Sequence, residues 1–171
     1  MTSTPVSGPK IVVGVDGSPS STRALRWALS QVELTGGDVH AVNVWRLPTT
    51  AGWDTVLDAV DWAANARLAL DTTVTAAAPD GAPHVHRHVI EGHPAKALLE
   101  AAADADLLVV GNRGHGAFPG MLVGSVGLHL LAHAPCPVVM VHGDRLPSGH
   151  GTSVPSPARH RSPVPDPGSR E

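Results

Sequence analysis

Five short runs dominated by β-branched and aliphatic residues alternate along this chain with segments whose apolar residues recur at helical spacing, and that alternation is the strongest constraint on its fold. The first run, "KIVVGVDGS" (Lys10 to Ser18), is continuously apolar before its Asp-Gly turn. A strand covered on both faces reads this way, whereas a half-exposed one alternates. Ser18 and Pro19 then supply an N-cap and a first helical residue. Ala24, Leu25, Ala28, Leu29 and Val32 follow at helical spacing, and Gly36-Gly37 ends the helix. The second cycle pairs a strand over Asp38 to Trp45 with a long helix within Trp53 to Ala78, stopped by Pro79, Asp80 and Gly81. A third pairs His84 to Ile90 with a helix from Pro94 to about Ala103. A fourth strand, Asp106 to Val110, leads to a helix beginning near Gly124, and Pro137 to His142 closes the series. Strands joined through helices must run parallel, so the expected fold is α/β, a five-stranded parallel sheet with helices on both faces. In such a sheet ligands bind outside the carboxyl ends of the strands.

The 171 residues fit one domain of ordinary size, and 42% apolar content is enough for a core. A net charge of −3 with the 11 histidines neutral gives no basic surplus, so neither nucleic acid nor an anionic membrane is an expected partner. The opening "MTSTPVSGPK" has no apolar core of a signal type, and no apolar run approaches the ~18 residues of a membrane span, so a cytoplasmic location is expected. Residues 1–9 read as a flexible N-terminus and 10–142 as the folded domain. Residues 143–171 read as a disordered tail, because their many prolines accompany no periodic apolar pattern.

Between the fourth strand and the last helix, "LLVVGNRGHGAFPGMLVGSVGLHLL" places six glycines in the 17 positions from Gly111 to Gly127. Glycine costs about 1 kcal/mol relative to alanine inside regular structure, so such a cluster implies a backbone that bends sharply or approaches something closely. The connection is nearer a dozen residues than the usual 2 to 6. Its amides and the following helix N-terminus can converge on an anion, which makes it a phosphate-site candidate. The spacing is Gly111-x2-Gly114-x9-Gly124-Ser125. It lacks the Gly-Lys-Ser/Thr of a P-loop, and the dinucleotide fingerprint belongs after the first strand of its unit.

With this motif the chain resembles the universal stress protein family, whose ATP-binding members carry G-x2-G-x9-G-S/T at this place in a five-stranded α/β domain. The resemblance runs from Lys10 to His142 and takes in "IVVGVDGSPSSTRALRWAL", "EGHPAKALLEAA" and "HAPCPVVMV". It implies strand order 3-2-1-4-5, ATP as the ligand and a regulatory or stress-response role. It also implies that Gly111, Asn112, Arg113, Gly114, His115, Gly116, Ala117, Gly124 and Ser125 surround the phosphates. Gly14, Val15 and Asp16 would border the nucleoside, and Val44 would stand where backbone groups meet adenine. The residue chemistry agrees in part. Main-chain amides at Gly114 and Gly116, the Ser125 hydroxyl and the Arg113 charge all suit phosphate. Asp16 can accept from ribose hydroxyls or ligate Mg2+ through oxygen. The fifth strand falls at a sheet edge in this order and is expected to pair with that of a second copy as a homodimer. A further protein partner is left open.

No set of base, nucleophile and oxyanion donor is evident, so binding is expected rather than dedicated catalysis, with slow ATP hydrolysis or self-phosphorylation as the most that Mg-ATP near Ser125 would support. Two other readings share the fold. One is an adenine-nucleotide hydrolase-like enzyme cleaving ATP between its α and β phosphates, although such enzymes open with Ser-Gly-Gly-x-Asp-Ser where this chain has "VDGSPSS". The other is a nucleotide-free dimeric interaction module. His84, His86 and His88 share one face of the third strand and have the residue type for Zn2+ or Ni2+, but no carboxylate or thiol stands at matching spacing, so they read as solvent-facing. Trp27, Trp45, Trp53 and Trp62 read as packing residues, with Trp45 or Trp53 also candidates for the adenine side of the cleft. Cys136, between two prolines, reads as a small buried hydrophobe.

Overall fold

The computed structural model describes residues 8–47, 61–82, 84–114 and 123–142. In chain order these form β1 (Lys10–Gly14), α1 (Pro19–Thr35), β2 (Asp38–Trp45), α2 (Trp62–Ala77), β3 (Val85–Glu91), α3 (Pro94–Ala101), β4 (Leu107–Gly111), α4 (Ser125–His133) and β5 (Val138–Val141). The strands make one parallel sheet in the order β3-β2-β1-β4-β5, as expected.

Local chemistry sets most element ends. Ser18 accepts from the Ser21 amide at the start of α1, Pro19 occupies the first turn, and Gly36 ends the helix in the left-handed conformation. Asp61 caps α2 by accepting from the Ala64 amide, so the helix within the long Trp53 to Ala78 segment begins at Trp62; Trp53 itself lies outside the described residues. The third strand begins at Val85 and not at His84, which stands in the turn before it.

Each face of the sheet is buried against two helices. On one, Ala24, Leu25, Ala28 and Val32 of α1 and Leu70 and Val74 of α2 pack on Ile11, Val13, Val39 and Val109. On the other, Leu98 of α3 and Leu130 of α4 pack on Val12, Val42, Leu108 and Val110. Leu25, Leu70, Leu108 and Leu130 are fully buried, each contributing about 1.5–3 kcal/mol relative to exposure. Trp27 packs against the first core from its margin, and Cys136 against the second. Burial, followed by the charge of Asp106, raises the Cys136 thiol pKa, which suits a packing residue better than a nucleophile.

The connection β1 to β2 to β3 proceeds to one side of β1, and the chain then returns to place β4 on the other. The strand order reverses there, so the crevice outside the carboxyl ends of β1 and β4 is where such a sheet offers a ligand site.

Candidate functional site

A cleft of about 500 Å³ opens at that reversal. Two strand ends define it, Gly14 from β1 and Gly111 from β4, and the connections leaving them form its rims.

On the β1 side the chain turns through Asp16 into the first turn of α1. Asp16 Oδ1 accepts from the Ser18 amide at 3.0 Å and the Ser18 hydroxyl at 2.6 Å, which fixes its carboxylate beside the cleft. Ser18 Oγ lies 3.1 Å from Ser20 Oγ, and the Ser20 hydroxyl donates to the Arg113 carbonyl. The loop after β4 is thereby tied to the helix start after β1.

That tie explains two of the glycines. A Cβ on Gly111 would stand 2.7 Å from the Ser20 carbonyl carbon, so α1 can reach the end of β4 only where no side chain intervenes. A Cβ on Gly114 would stand 2.4 Å from Asp16 Oδ2, so any side chain there displaces the carboxylate or the loop.

Asn112, 2% exposed, holds the far rim. Its amide donates to Val141 O, its carbonyl accepts from the Gly124 amide at 3.0 Å, and its side-chain Nδ2 lies 2.7 Å from His142 Nδ1. The Asn112 to Gly124 bond joins the two ends of the glycine-rich connection. Gly124 is the N-cap of α4 and makes no side-chain cap bond; Ser125 is the first helical residue and not the cap. The next amides, Ser125 to Gly127, precede any intrahelical acceptor, so they present partial positive charge at the cleft.

The inner wall is apolar. Val42 and Val44 of β2, Val110 of β4 and Leu98 of α3 line it, with Arg46 past the end of β2. The cleft thus joins an apolar slot to a rim of helix-terminal amides, the exposed Arg113 and one carboxylate, a combination suited to a molecule with a flat apolar part and an anionic part.

Gly14, Val15, Asp16, Val44, Gly111, Asn112, Arg113, Gly114, Gly124 and Ser125 all line this one cleft. His115, Gly116 and Ala117 lie outside the described residues. Trp45 does not line it, because alternation along β2 sends Val42 and Val44 to the cleft side and Trp45 to the other. Sequence reasoning missed Ser21, Val42, Arg46, Leu98, Val110 and Val126. The period-2 rule extends from Val44 to Val42 and Arg46, whereas Leu98 reaches the cleft only through the packing of α3.

A model described as the universal stress protein family matches residues 9–142. A universal stress protein of Mycobacterium tuberculosis is 35% identical over 156 residues, covering 85% of this chain and 51% of that protein, so the chain spans about half the length of this relative. A Thermus aquaticus universal stress protein is 31% identical over 134 residues, covering 77% of this chain and 96% of its own. Among solved structures, UspA from Lactobacillus plantarum superposes with a TM-score of 0.68 at 25% identity over 80% of this chain and 99% of that one. A universal stress protein solved in complex with cAMP superposes with a TM-score of 0.61 at 27% identity, over 80% and 98% of the two chains.

Proposed function

The chain belongs to the universal stress protein family, and we propose that it is an ATP-binding regulatory factor of the stress response that holds the nucleotide in the cleft between β1 and β4. The observation that carries this reading is the 3.0 Å bond between the Gly124 amide and the Asn112 carbonyl. It sets Gly111 to Gly114 and the start of α4 around one space, where an anion can meet both. The complex of a 27% identical neighbour with cAMP supports an adenine nucleotide as the ligand class.

In this reading the phosphates lie against the Ser125 to Gly127 amides and the Ser125 hydroxyl, with Arg113 adding charge from the rim. His115, Gly116 and Ala117 follow Gly114 in the same sequence motif and are proposed as further phosphate contacts. The base lies against Val42, Val44 and Leu98, and Asp16 faces the ribose hydroxyls. Asp16 also has the chemistry for Mg2+. It brings a single hard carboxylate already oriented by Ser18, which suits an ion that keeps most of its waters and takes its remaining ligands from phosphate. The groups present bind and orient a nucleotide; binding, not turnover, is the function assigned.

We further propose a homodimer through β5. This strand is at the sheet edge, and among the described residues no strand pairs with its outer side; all four of its residues are half-buried. A two-fold mate satisfies them.

Mass spectrometry of nucleotide released from freshly purified full-length protein, before and after incubation with ATP, tests the ligand. Stoichiometric ATP is expected. Protein that releases no nucleotide in either state contradicts the reading.

A further inference from the structure

The same sheet carries a second concentration of chemistry toward the amino ends of β2 and β3. The strands pair in register, His40 opposite His86 and Val42 opposite His88, so His40, His86 and His88 project from one face. The His40 ring stacks on both neighbours, with centroids 4.8 Å from His86 and 5.1 Å from His88. His40 Nδ1 lies 3.0 Å from His88 Nε2. Asp38 supplies the carboxylate that the sequence pattern lacked, because β2 brings it beside the start of β3. Its Oδ1 is 3.5 Å from His86 Nε2 and 3.6 Å from His84 Nδ1.

We propose that His40, His86 and His88, with Asp38, form a binding site for a late first-row divalent cation of the Zn2+ class. Imidazole nitrogens and one carboxylate are the donors such ions prefer. Two ligands of a tetrahedral Zn2+ at about 2.0–2.1 Å stand about 3.3 Å apart, close to the separation of His40 Nδ1 and His88 Nε2. The metal takes the place of the proton those two nitrogens share. Among the described residues no three donors already surround a common centre, so the site closes by rotation of exposed side chains. His86, 52% exposed, swings to give the third nitrogen, and Asp38 either completes the shell or accepts from a ligand imidazole.

The test is a competition titration of full-length protein with Zn2+ against a chromophoric chelator, with Co2+ spectra as the geometric readout. One Zn2+ per chain is expected, with affinity falling at least tenfold in His40→Ala/His88→Ala and in the milder His86→Gln. Intense d–d bands for Co2+ should disappear in the same variants. Among the described residues a rival donor pair is His129 and His133, one turn apart on α4 with stacked rings at 4.3 Å. His129→Ala/His133→Ala should bind as the parent does. Loss of Zn2+ binding in that variant, or unchanged affinity in folded His86→Gln, overturns the proposal.

Discussion

At the residue scale, two close approaches give the cleft its form. Gly114 leaves room for the Asp16 carboxylate, which a side chain there would displace. Gly114→Val is therefore expected to weaken ATP binding at least tenfold while the far-ultraviolet spectrum stays unchanged, as calorimetry on the folded variant will read. Gly111 answers to backbone, the Ser20 carbonyl carbon at 2.7 Å, which cannot rotate away. Gly111→Ala is expected to cost about 1–3 kcal/mol of stability through overpacking, measured as a lowered urea midpoint. The two substitutions thus separate: one acts on the ligand, the other on the fold. The spacing of these glycines was legible in the sequence, but the reason for each was not, since Gly111 and Gly114 meet Ser20 and Asp16 only after β1 and β4 have become neighbours.

At the element scale, caps and stripes carry the predictions. Ser18 accepts from the Ser21 amide and donates to Asp16, so Ser18→Ala removes a helix cap and loosens the carboxylate at the cleft together. A loss of about 1–2 kcal/mol is expected, with a weaker affinity for ATP beyond what the stability change accounts for. Leu70, fully buried where α2 meets the sheet, should cost about 2–5 kcal/mol as Leu70→Ala, read from denaturant unfolding. The strands and α1 could be read from the chain because their signals are local: β-branched runs, Ser18-Pro19, and Gly36. Cross-strand facts were hidden. Nothing in "HVHRH" places Asp38 and His40 beside it; that follows from the register of β2 on β3. Likewise Trp45 looked suited to the cleft by type, and its place in the β2 alternation turned it away.

At the scale of the whole molecule, β5 lies at the edge of the sheet among the described residues, and the proposed pairing of two copies through it is open to test. Sedimentation of the full-length protein and of a chain truncated after Asp144 should give a dimer for both, because the composition of 143–171 offers no core. A concentration-independent monomer for both contradicts pairing through β5, and a dimer only after truncation means that the tail covers that edge. The mycobacterial relative is about twice as long as the matched region. The proposed nucleotide site lies at the reversal of strand order and not at the sheet edge, and one titration probes it directly. Calorimetry of ATP into nucleotide-free full-length protein should show saturable binding at one site per chain, abolished or weakened at least tenfold in folded Gly114→Val. No saturable heat in the parent protein, or the same affinity in both, would contradict a nucleotide site between β1 and β4.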